Sequence, residues 1–265
     1  MNSEYSLYEK AAEEALRVGE QVLLKKFKPD KIAKTAFKAH REFVTAADLA
    51  SNAAIQRVLA KLAPDVDILS EEGSLRKPKV LQTHLQWVLD PLDGTTNYTI
   101  GLPLWGISLA LLKDGVPIRG WIRLPLLKER YLARLNEGAW KNGKRFHLVN
   151  ARSMKDGVGL LCHGYREEEK AADIQTIESL MRESYTTRRL GSACVELAWV
   201  ATGRASYLVI YGAKPWDLAA GTLLITEAGG FVSTPVGDPW KPSDPDCVAG
   251  GPASFPQVID ALKRT

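Results

Sequence analysis

Apolar residues recur every three or four positions over residues 4–27, and this spacing predicts an amphipathic helix whose apolar stripe packs on the core. The positions are Leu7, Ala11, Ala15, Val18, Val22 and Leu23. A second helix is predicted after Thr45 and ends before Pro64. Thr45 is a suitable N-cap with Asp48 three residues later, so a capping box explains both residues without any catalysis.

Short β-rich runs follow the second helix. Val66–Leu69 predicts a short strand, and Trp87–Leu89 predicts the end of a buried strand. Pro91 has no N–H for a ladder, so we expect this strand to stop there and Asp90 and Asp93 to lie in the turn that follows.

An antiparallel meander is predicted downstream. Its apolar runs are Trp105–Leu112, Val116–Leu124 and Arg130–Leu135. Gly138–Lys144 predicts a turn in which Asn142-Gly143 is a strong hairpin signal. The first half of the chain therefore predicts helices packed on an antiparallel sheet.

Strands and helices alternate after Ser153. Predicted strands are Val158–Cys162, Thr187–Ala193 and Ala205–Tyr211; predicted helices are Glu167–Arg182, Cys194–Thr202 and Trp216–Glu227. We predict a mixed α+β and α/β fold, a layered αβαβα sandwich. Residues 1–150 form an antiparallel-sheet lobe that carries the site, and residues 151–265 form a mixed α/β lobe.

Composition excludes several classes of protein. The 265 residues are 45% hydrophobic with a net charge of +4, which permits anionic substrates but does not indicate nucleic-acid binding. We find no signal peptide and no span long enough for a membrane, so a cytoplasmic protein is expected. The three cysteines are widely spaced, which favours reduced thiols. Neither they nor the four histidines have the spacing of zinc ligands.

Acidic residues stand where strands end and helices begin. Asp90 and Asp93 precede Gly94-Thr95-Thr96, the predicted opening of a short helix whose free N–H groups suit a phosphate. Glu71-Glu72 follows a strand, and Asp217 begins a helix. Singly, these are ordinary turn, surface and capping residues. Together they suit paired Mg²⁺ ions and metal-assisted hydrolysis of a phosphate ester.

The chain resembles the inositol monophosphatase family of lithium-sensitive, Mg²⁺-dependent phosphomonoesterases. Two long motifs carry the resemblance: Asp90–Tyr98, and Trp216–Gly221 with Glu227–Gly230. Three short motifs, Val44–Asp48, Ser70–Glu72 and Gly191–Ala193, stand in the family's order and spacing. The resemblance covers roughly residues 5–260.

The resemblance implies a role for each matching residue. Glu71, Asp90 and the Leu92 carbonyl bind a first Mg²⁺; Asp90, Asp93 and Asp217 bind a second; Asp48 reaches a weaker third ion through water. Glu71 and Thr95 orient the attacking water, which the metal activates, and no phosphoenzyme forms. The phosphate and the alcohol part of the substrate contact Asp93, Gly94, Thr95, Gly191, Ser192, Ala193 and Asp217. Mn²⁺ is an expected substitute for Mg²⁺, and a homodimer is expected.

Departures from the family leave the substrate open. Ile210 stands where enzymes dedicated to inositol phosphate often carry a Glu, which puts strict inositol selectivity in doubt. The alternatives are fructose 1,6-bisphosphate or other sugar phosphates, histidinol phosphate and 3′-phosphoadenosine 5′-phosphate. The basic segment Lys25–His40 is predicted to be a loop, either simply solvated or placed beside an anionic substrate.

There are two rival functions, and the second belongs to another class of protein. A haloacid-dehalogenase-type phosphatase uses an Asp nucleophile in the motif DxDGT, in which one residue lies between the two Asp. Here two residues lie between Asp90 and Asp93. The other rival is a catalytically inactive or regulatory binding protein on the same scaffold. The complete set of acidic residues argues against it, and an assay of phosphate release decides it.

Overall fold

Two large β-sheets alternate with three layers of helices in the structure, a computed structural model that describes residues 5–29, 32, 35–37, 43–73, 84–149 and 152–264. A separate antiparallel pair of short strands, Thr35–Phe37 and Phe43–Thr45, forms a third sheet. The helices are α1 Ser6–Lys26, α2 Ala46–Leu62, α3 Thr95–Thr99, α4 Glu167–Glu183, α5 Ala193–Ala201, α6 Pro215–Ala228 and α7 Phe255–Lys263. In the part of the chain described, none of them is long and apolar enough to cross a bilayer.

The first nine strands belong to the N-terminal half. They are β1 Thr35–Phe37, β2 Phe43–Thr45, β3 Asp67–Ser70, β4 Leu85–Asp93, β5 Gly106–Lys113, β6 Val116–Leu124, β7 Glu129–Arg134, β8 Gly138–Lys141 and β9 Lys144–Phe146. Strands β3 to β9 form one sheet in chain order. All neighbours in it are antiparallel except β3 and β4, which are parallel, so the sheet is mixed rather than purely antiparallel as predicted.

The second sheet is built from the C-terminal half. Its strands are β10 Val158–His163, β11 Thr186–Arg188, β12 Tyr207–Tyr211, β13 Phe231–Ser233 and β14 Cys247–Gly250. Their order is β11-β10-β12-β14-β13, with β10 parallel to both neighbours and the remaining pairs antiparallel. The predicted mixed α/β lobe is therefore confirmed as a mixed sheet with helices.

Among the described residues, three apolar clusters hold the five layers together. One joins α1 and α2 to the first sheet, and another joins α4 and α7 to the second sheet. The largest lies between the sheets, where α5 and α6 are buried on nearly every side. This stacking confirms the predicted αβαβα sandwich.

Helices α1 and α2 approach each other closely at Gly19. A Cβ atom added there would come within 2.7 Å of two side-chain carbons of Ile55. The missing side chain therefore allows the close approach of α1 and α2, and α2 in turn contacts Thr95 of the cleft described below through Asp48.

Several predicted boundaries need correction. The strand predicted over Thr187–Ala193 ends at Arg188, because Ser192 instead caps α5. Gly138–Lys144 is not only a turn: β8 and β9 flank the two-residue turn Asn142-Gly143, whose φ angles are both positive. The segment predicted as the loop Lys25–His40 begins inside α1 and contains β1; its other residues, except 27–29 and 32, lie outside the described part.

The division into two lobes was placed between residues 150 and 151, and both lie outside the described residues. The central apolar cluster contains residues from both halves, for example Val88 and Leu208. The elements from β13 to α7 had no counterpart in the sequence prediction.

Candidate active site

Strand β4 carries the first two acidic residues to the edge of a cleft. The strand does not stop at Pro91, as predicted, but continues to Asp93. Between the pairs Asp90–Ser108 and Asp93–Gly106, two residues of β4 lie opposite one residue of β5. Such a bulge accommodates a proline, which has no N–H for the ladder, and it re-aims the side chains on either side. Asp90 and Asp93 are therefore strand residues rather than turn residues.

Helix α3 begins directly after this strand, as predicted. Its N-cap is Gly94, whose φ of +88° is a left-handed conformation that glycine adopts without strain. A Cβ at Gly94 would come within 3.0 Å of the Leu104 carbonyl oxygen and of the Ser192 Cβ. The N–H groups of the first residues of α3 have no partner inside the helix, because no turn precedes them.

One cleft of about 190 Å³ gathers almost every residue that the sequence pointed to. Its lining includes the predicted residues Glu71, Asp90, Leu92, Asp93, Gly94, Thr95, Gly191, Ser192, Ala193 and Asp217. Asp48 does not line the cleft, but its carboxylate accepts a hydrogen bond from the Thr95 hydroxyl at 2.8 Å. Residues from the turn after β3, from β4 and from the starts of α3, α5 and α6 thus meet in one place.

Asp93 is held by the segment that starts α5. The Ser192 hydroxyl donates to its Oδ2 at 2.8 Å, and the Ala193 N–H donates to its Oδ1 at 3.2 Å. The Cys194 N–H also donates to Oδ2. These bonds favour the ionised carboxylate and fix its orientation. Burial nevertheless raises the pKa of Asp93 above its ordinary value.

The other carboxylates repel one another. Burial first, and then the charges of Glu71, Asp93 and Asp217, raise the pKa of Asp90 well above its ordinary value. Burial, followed by the charges of Glu71 and Asp93, does the same to the pKa of Asp217. Asp217 keeps one hydrogen bond, from the Lys214 N–H at 2.7 Å, as the capping residue of α6. A cluster of this kind needs a counter-charge to be fully ionised.

The donor set has the chemistry that hard divalent cations require. It offers carboxylate oxygens and the Leu92 carbonyl, and Mg²⁺ takes oxygen ligands while keeping several waters. Among the described residues, no three His, Cys, Asp or Glu side chains are placed as ligands of one metal ion. Asp90, Asp93 and Asp217 instead each accept hydrogen bonds from the protein, and water would complete the coordination of a bound cation.

Asp48 has two functions in the structure. Its Oδ2 accepts from the Thr45 N–H at 2.9 Å, which completes the predicted capping box of α2. Its Oδ1 accepts from Thr95, whose hydroxyl also lies 3.1 Å from the Leu92 carbonyl oxygen. Since a hydroxyl has a single proton, donation to Asp48 leaves the lone pairs of Thr95 available as acceptors.

Asn97 and Glu196 hold the loop that precedes α5, and the sequence did not single out either residue. The Asn97 amide donates to the Leu104 carbonyl at 2.7 Å and to the Leu190 carbonyl at 2.6 Å. The Leu190 N–H donates to Glu196 at 2.8 Å. Leu190 is thus hydrogen-bonded through both its carbonyl and its N–H. These bonds position the residues that follow it and donate to Asp93.

Only Ile210, Lys214 and Trp216 of the far wall of the cleft were pointed to by the sequence. This wall is formed by the end of β10 and the residues after it, by the end of β12 and the residues after it, and by the start of α6: Cys162, His163, Gly164, Tyr165, Ile210, Gly212, Ala213, Lys214 and Trp216. Ile210, which the sequence did identify as a departure, is 2% exposed and lies beside Cys162 in the sheet. Burial is also the largest cause that raises the pKa of the Cys162 thiol. This wall is less acidic than the opposite one.

Comparison with known proteins gives a consistent result. A model of the "Inositol monophosphatase family" matches residues 4–264. A protein of Aquifex aeolicus named "Fructose-1,6-bisphosphatase/inositol-1-monophosphatase" is 32% identical over 261 residues, which cover 97% of this chain and 96% of that protein. The "Nus factor SuhB" of Escherichia coli K12 is 33% identical over 261 residues, covering 94% and 96%.

A solved structure extends the likeness to three dimensions. The extragenic suppressor protein suhB of Bartonella henselae superimposes with a TM-score of 0.89 at 27% sequence identity. The alignment covers 98% of this chain and 99% of that one. Both sheets and the helical layers are therefore shared with that protein.

Proposed function

Because the chain belongs to the inositol monophosphatase family, we propose that it is a Mg²⁺-dependent phosphatase that hydrolyses small phosphate monoesters of the inositol 1-phosphate type. One observation carries the proposal: Glu71, the pair Asp90 and Asp93, and Asp217 come from three separate parts of the chain and line one cleft beside Thr95. Buried carboxylates that raise one another's pKa destabilise the folded protein, and such clusters are typical of functional sites.

We assign metal binding to the acidic wall of the cleft, which is formed by Glu71, Asp90, Asp93 and Asp217. Glu71, Asp90 and the Leu92 carbonyl are the proposed ligands of one Mg²⁺, and Asp90, Asp93 and Asp217 those of a second. A third ion near Asp48 is possible only through water, since that carboxylate already accepts from Thr45 and Thr95. When bound, such ions lower the pKa of water and neutralise the charge that develops on the phosphate. Mn²⁺ is the proposed substitute.

The protein's own groups position the reactants. Glu71 and Thr95 are proposed to accept hydrogen bonds from the attacking water, and Asp48 supports this by holding the Thr95 proton. Phosphate oxygens are proposed to bind the N–H groups of Gly94 and Thr95 at the start of α3. No side chain here is assigned as a nucleophile, so a covalent phosphoenzyme is not expected. Gly191, Ser192 and Ala193 lie where the alcohol part would contact the protein.

The alcohol part of the substrate faces a mixed wall. Ile210 offers no hydrogen bond to a polyol hydroxyl, whereas Lys214 adds a positive charge to the cleft lining. Within the enzyme class, these residues favour as the alternative a phosphatase that acts on a broad range of sugar phosphates, including fructose 1,6-bisphosphate. The name of the Aquifex relative supports this alternative. Histidinol phosphate and 3′-phosphoadenosine 5′-phosphate are further candidates.

A direct assay tests the proposal. Phosphate release is measured with inositol 1-phosphate, fructose 1,6-bisphosphate, histidinol phosphate and 3′-phosphoadenosine 5′-phosphate, each with Mg²⁺ and with EDTA. We expect Mg²⁺-dependent turnover of at least one substrate and inhibition by Li⁺. Background rates with all four would favour a non-catalytic role; several relatives are named Nus factor SuhB, a name that does not state a hydrolase activity.

Three further assignments have less support. A homodimer is proposed because two-fold dimers are the commonest oligomers, and light scattering measures it. We also propose a cytoplasmic location, and the two lobes 1–150 and 151–265. Limited proteolysis near residue 150 tests the lobes.

A further inference from the structure

Helix α2 buries four polar side chains along one face. Asp48, Ser51, Asn52 and Gln56 follow one another at helical spacing, and none is more than 8% exposed. A helix packed on a sheet usually presents an apolar stripe, and a buried polar group is costly unless it is paired. The partners of these four residues therefore show what this face of α2 does.

The N-terminal pair of this face holds the β4–α3 corner of the cleft. Asp48 accepts from the Thr95 hydroxyl, and the Ser51 hydroxyl donates to the Pro91 carbonyl at 3.0 Å. Pro91 lies in the bulge between the two aspartates of β4. The N-terminal half of the polar face thus fixes the bulged end of β4, which carries Asp90 and Asp93.

The C-terminal pair holds the other loop, a turn over Ser70–Gly73 closed by a hydrogen bond from the Gly73 N–H to the Ser70 carbonyl. Asn52 donates through Nδ2 to the carbonyls of Glu72 and Gly73, at 3.3 and 3.1 Å. Its Oδ1 accepts from the Ser70 hydroxyl at 2.8 Å. One amide therefore contacts both ends of the turn, on either side of Glu71.

Gln56 fixes the orientation of the Asn52 side-chain amide. Its Nε2 donates to Oδ1 of Asn52 at 2.6 Å and to the Gly73 carbonyl at 2.6 Å. The Glu71 N–H is tied from the opposite side, by donation to the Leu89 carbonyl at 3.2 Å. A glutamate has three side-chain torsions, so a fixed backbone narrows the positions that its carboxylate samples.

We propose that Asn52, backed by Gln56, is a positioning residue that holds Glu71 against Asp90 and thereby sets the affinity of the cleft for its first divalent cation. The inference rests on the proposed function, because it takes Glu71 to be a ligand of that cation. Hydrogen-bonded partners behind a ligand commonly change metal affinity about 10- to 100-fold when they are removed.

The test measures metal binding without turnover. The dissociation constant of Mn²⁺ is determined by electron paramagnetic resonance for the full-length wild type, Asn52→Ala, Gln56→Ala and the double variant. We expect Asn52→Ala to weaken binding about tenfold. Because the two amides act as one unit, the double variant should bind only slightly more weakly than Asn52→Ala alone.

A control on the same helix separates positioning from stability. Ile55→Val removes a methylene from the apolar face of α2, where Ile55 is fully buried, and lowers Tm without touching the turn. We expect its Mn²⁺ affinity to equal that of the wild type. Ser70→Ala removes one bond to Asn52 and serves if Asn52→Ala does not fold; its affinity should fall in the same direction by a smaller factor.

Turnover supplies a second readout. The Mg²⁺ concentration that gives half the maximal rate should rise in Asn52→Ala, while kcat at saturating Mg²⁺ changes less than about threefold. Unchanged Mn²⁺ affinity in Asn52→Ala, or an equal loss in Ile55→Val, overturns the positioning role and leaves the phosphatase proposal standing. A wild type that hydrolyses nothing and binds no Mn²⁺ overturns both.

Discussion

The carboxylate of Asp48 accepts the hydroxyl proton of Thr95 at 2.8 Å, although 47 positions separate the two residues. The same carboxylate caps α2 through Thr45, so the start of one helix is fixed to the first residue of another. The sequence pattern predicted a capping role for Asp48, and the family resemblance implied contact with a third ion through water. The structure adds a contact with the residue to which we assign the orientation of water.

Asp48→Ala tests this double function. Loss of the cap should lower the free energy of unfolding by about 1 kcal/mol. Loss of the Thr95 contact should lower kcat by about tenfold to a hundredfold, because Thr95 no longer holds one orientation. The control is Thr45→Ala, which removes another capping side chain of α2 that accepts from the Ala47 N–H. If the kcat of Asp48→Ala equals that of Thr45→Ala, the contact between Asp48 and Thr95 has no catalytic role.

Asp90→Asn should separate stability from activity. The neutral amide can still accept from the Leu92 N–H, as Asp90 Oδ1 does at 3.0 Å, and it removes one charge from the acidic wall. In EDTA we expect the free energy of unfolding at pH 8 to rise by about 1 kcal/mol or more, because a penalised ionisation disappears. Turnover should fall at least about a hundredfold.

Chemical denaturation and phosphate release measure the two effects of Asp90→Asn. Asp260→Asn, an exposed substitution on α7, is the matched control and should change neither quantity. An Asp90→Asn protein that is less stable than the wild type yet fully active would show that the acidic wall neither repels itself nor binds the catalytic ions.

The pH dependence of stability reports on Glu196. Burial raises the pKa of this fully buried carboxyl from 4.5 to about 8. Since the folded state prefers the neutral form, its stabilising effect is complete below about pH 4.5 and is lost as pH rises toward 8. Glu196→Gln stays neutral and keeps an oxygen for the Leu190 N–H. In EDTA, its stability relative to wild type should therefore grow by about 2 kcal/mol or more between pH 5 and pH 9.

Urea denaturation at several pH values checks this difference. Glu129→Gln replaces another buried carboxylate, one that is bound by Lys141, Tyr131 and Arg204. Despite its burial, these partners hold the pKa of Glu129 below its ordinary value, so this variant should lose stability at neutral pH. A pH-independent difference between Glu196→Gln and wild type would mean that Glu196 is ionised in the folded protein.

Ile210→Glu tests the substrate wall. A carboxylate at this position of the cleft can accept hydrogen bonds from polyol hydroxyls, which the isoleucine cannot. We expect kcat/KM for inositol 1-phosphate to rise about fivefold relative to that for fructose 1,6-bisphosphate, the effect of roughly one hydrogen bond. Ile210→Val, which stays apolar, should leave the ratio unchanged. An unchanged ratio in Ile210→Glu would remove Ile210 as a determinant of selectivity.

The sequence predicted those features of the site that depend on residues close together in the chain. Asp90, Asp93 and Thr95 stand within six positions of one another, so their spacing could be read directly. Pro91 misled the prediction, because a bulge lets a strand pass a proline without losing a ladder bond, and the bulge depends on β5. Local pattern therefore identified the chemistry better than the backbone that carries it.

The supporting residues could not be found in the same way. Asn52 and Gln56 look like ordinary solvent-facing positions of an amphipathic helix, and only the turn over Ser70–Gly73 shows that they are buried. Glu196 bonds a loop that packs against Asn97, almost 100 positions earlier. Such roles arise from long-range contacts, for which a single sequence has no periodic signal.

The site assignment depends on cations binding between Glu71, Asp90, Asp93 and Asp217. The most direct measurement is an anomalous difference map from crystals soaked in Mn²⁺ and inorganic phosphate. We predict at least two strong peaks among these four side chains, with phosphate density at the N-terminal end of α3. A map without peaks there, or with Mn²⁺ bound only elsewhere on the protein, would contradict the assignment of this cleft as a metal-dependent phosphatase site.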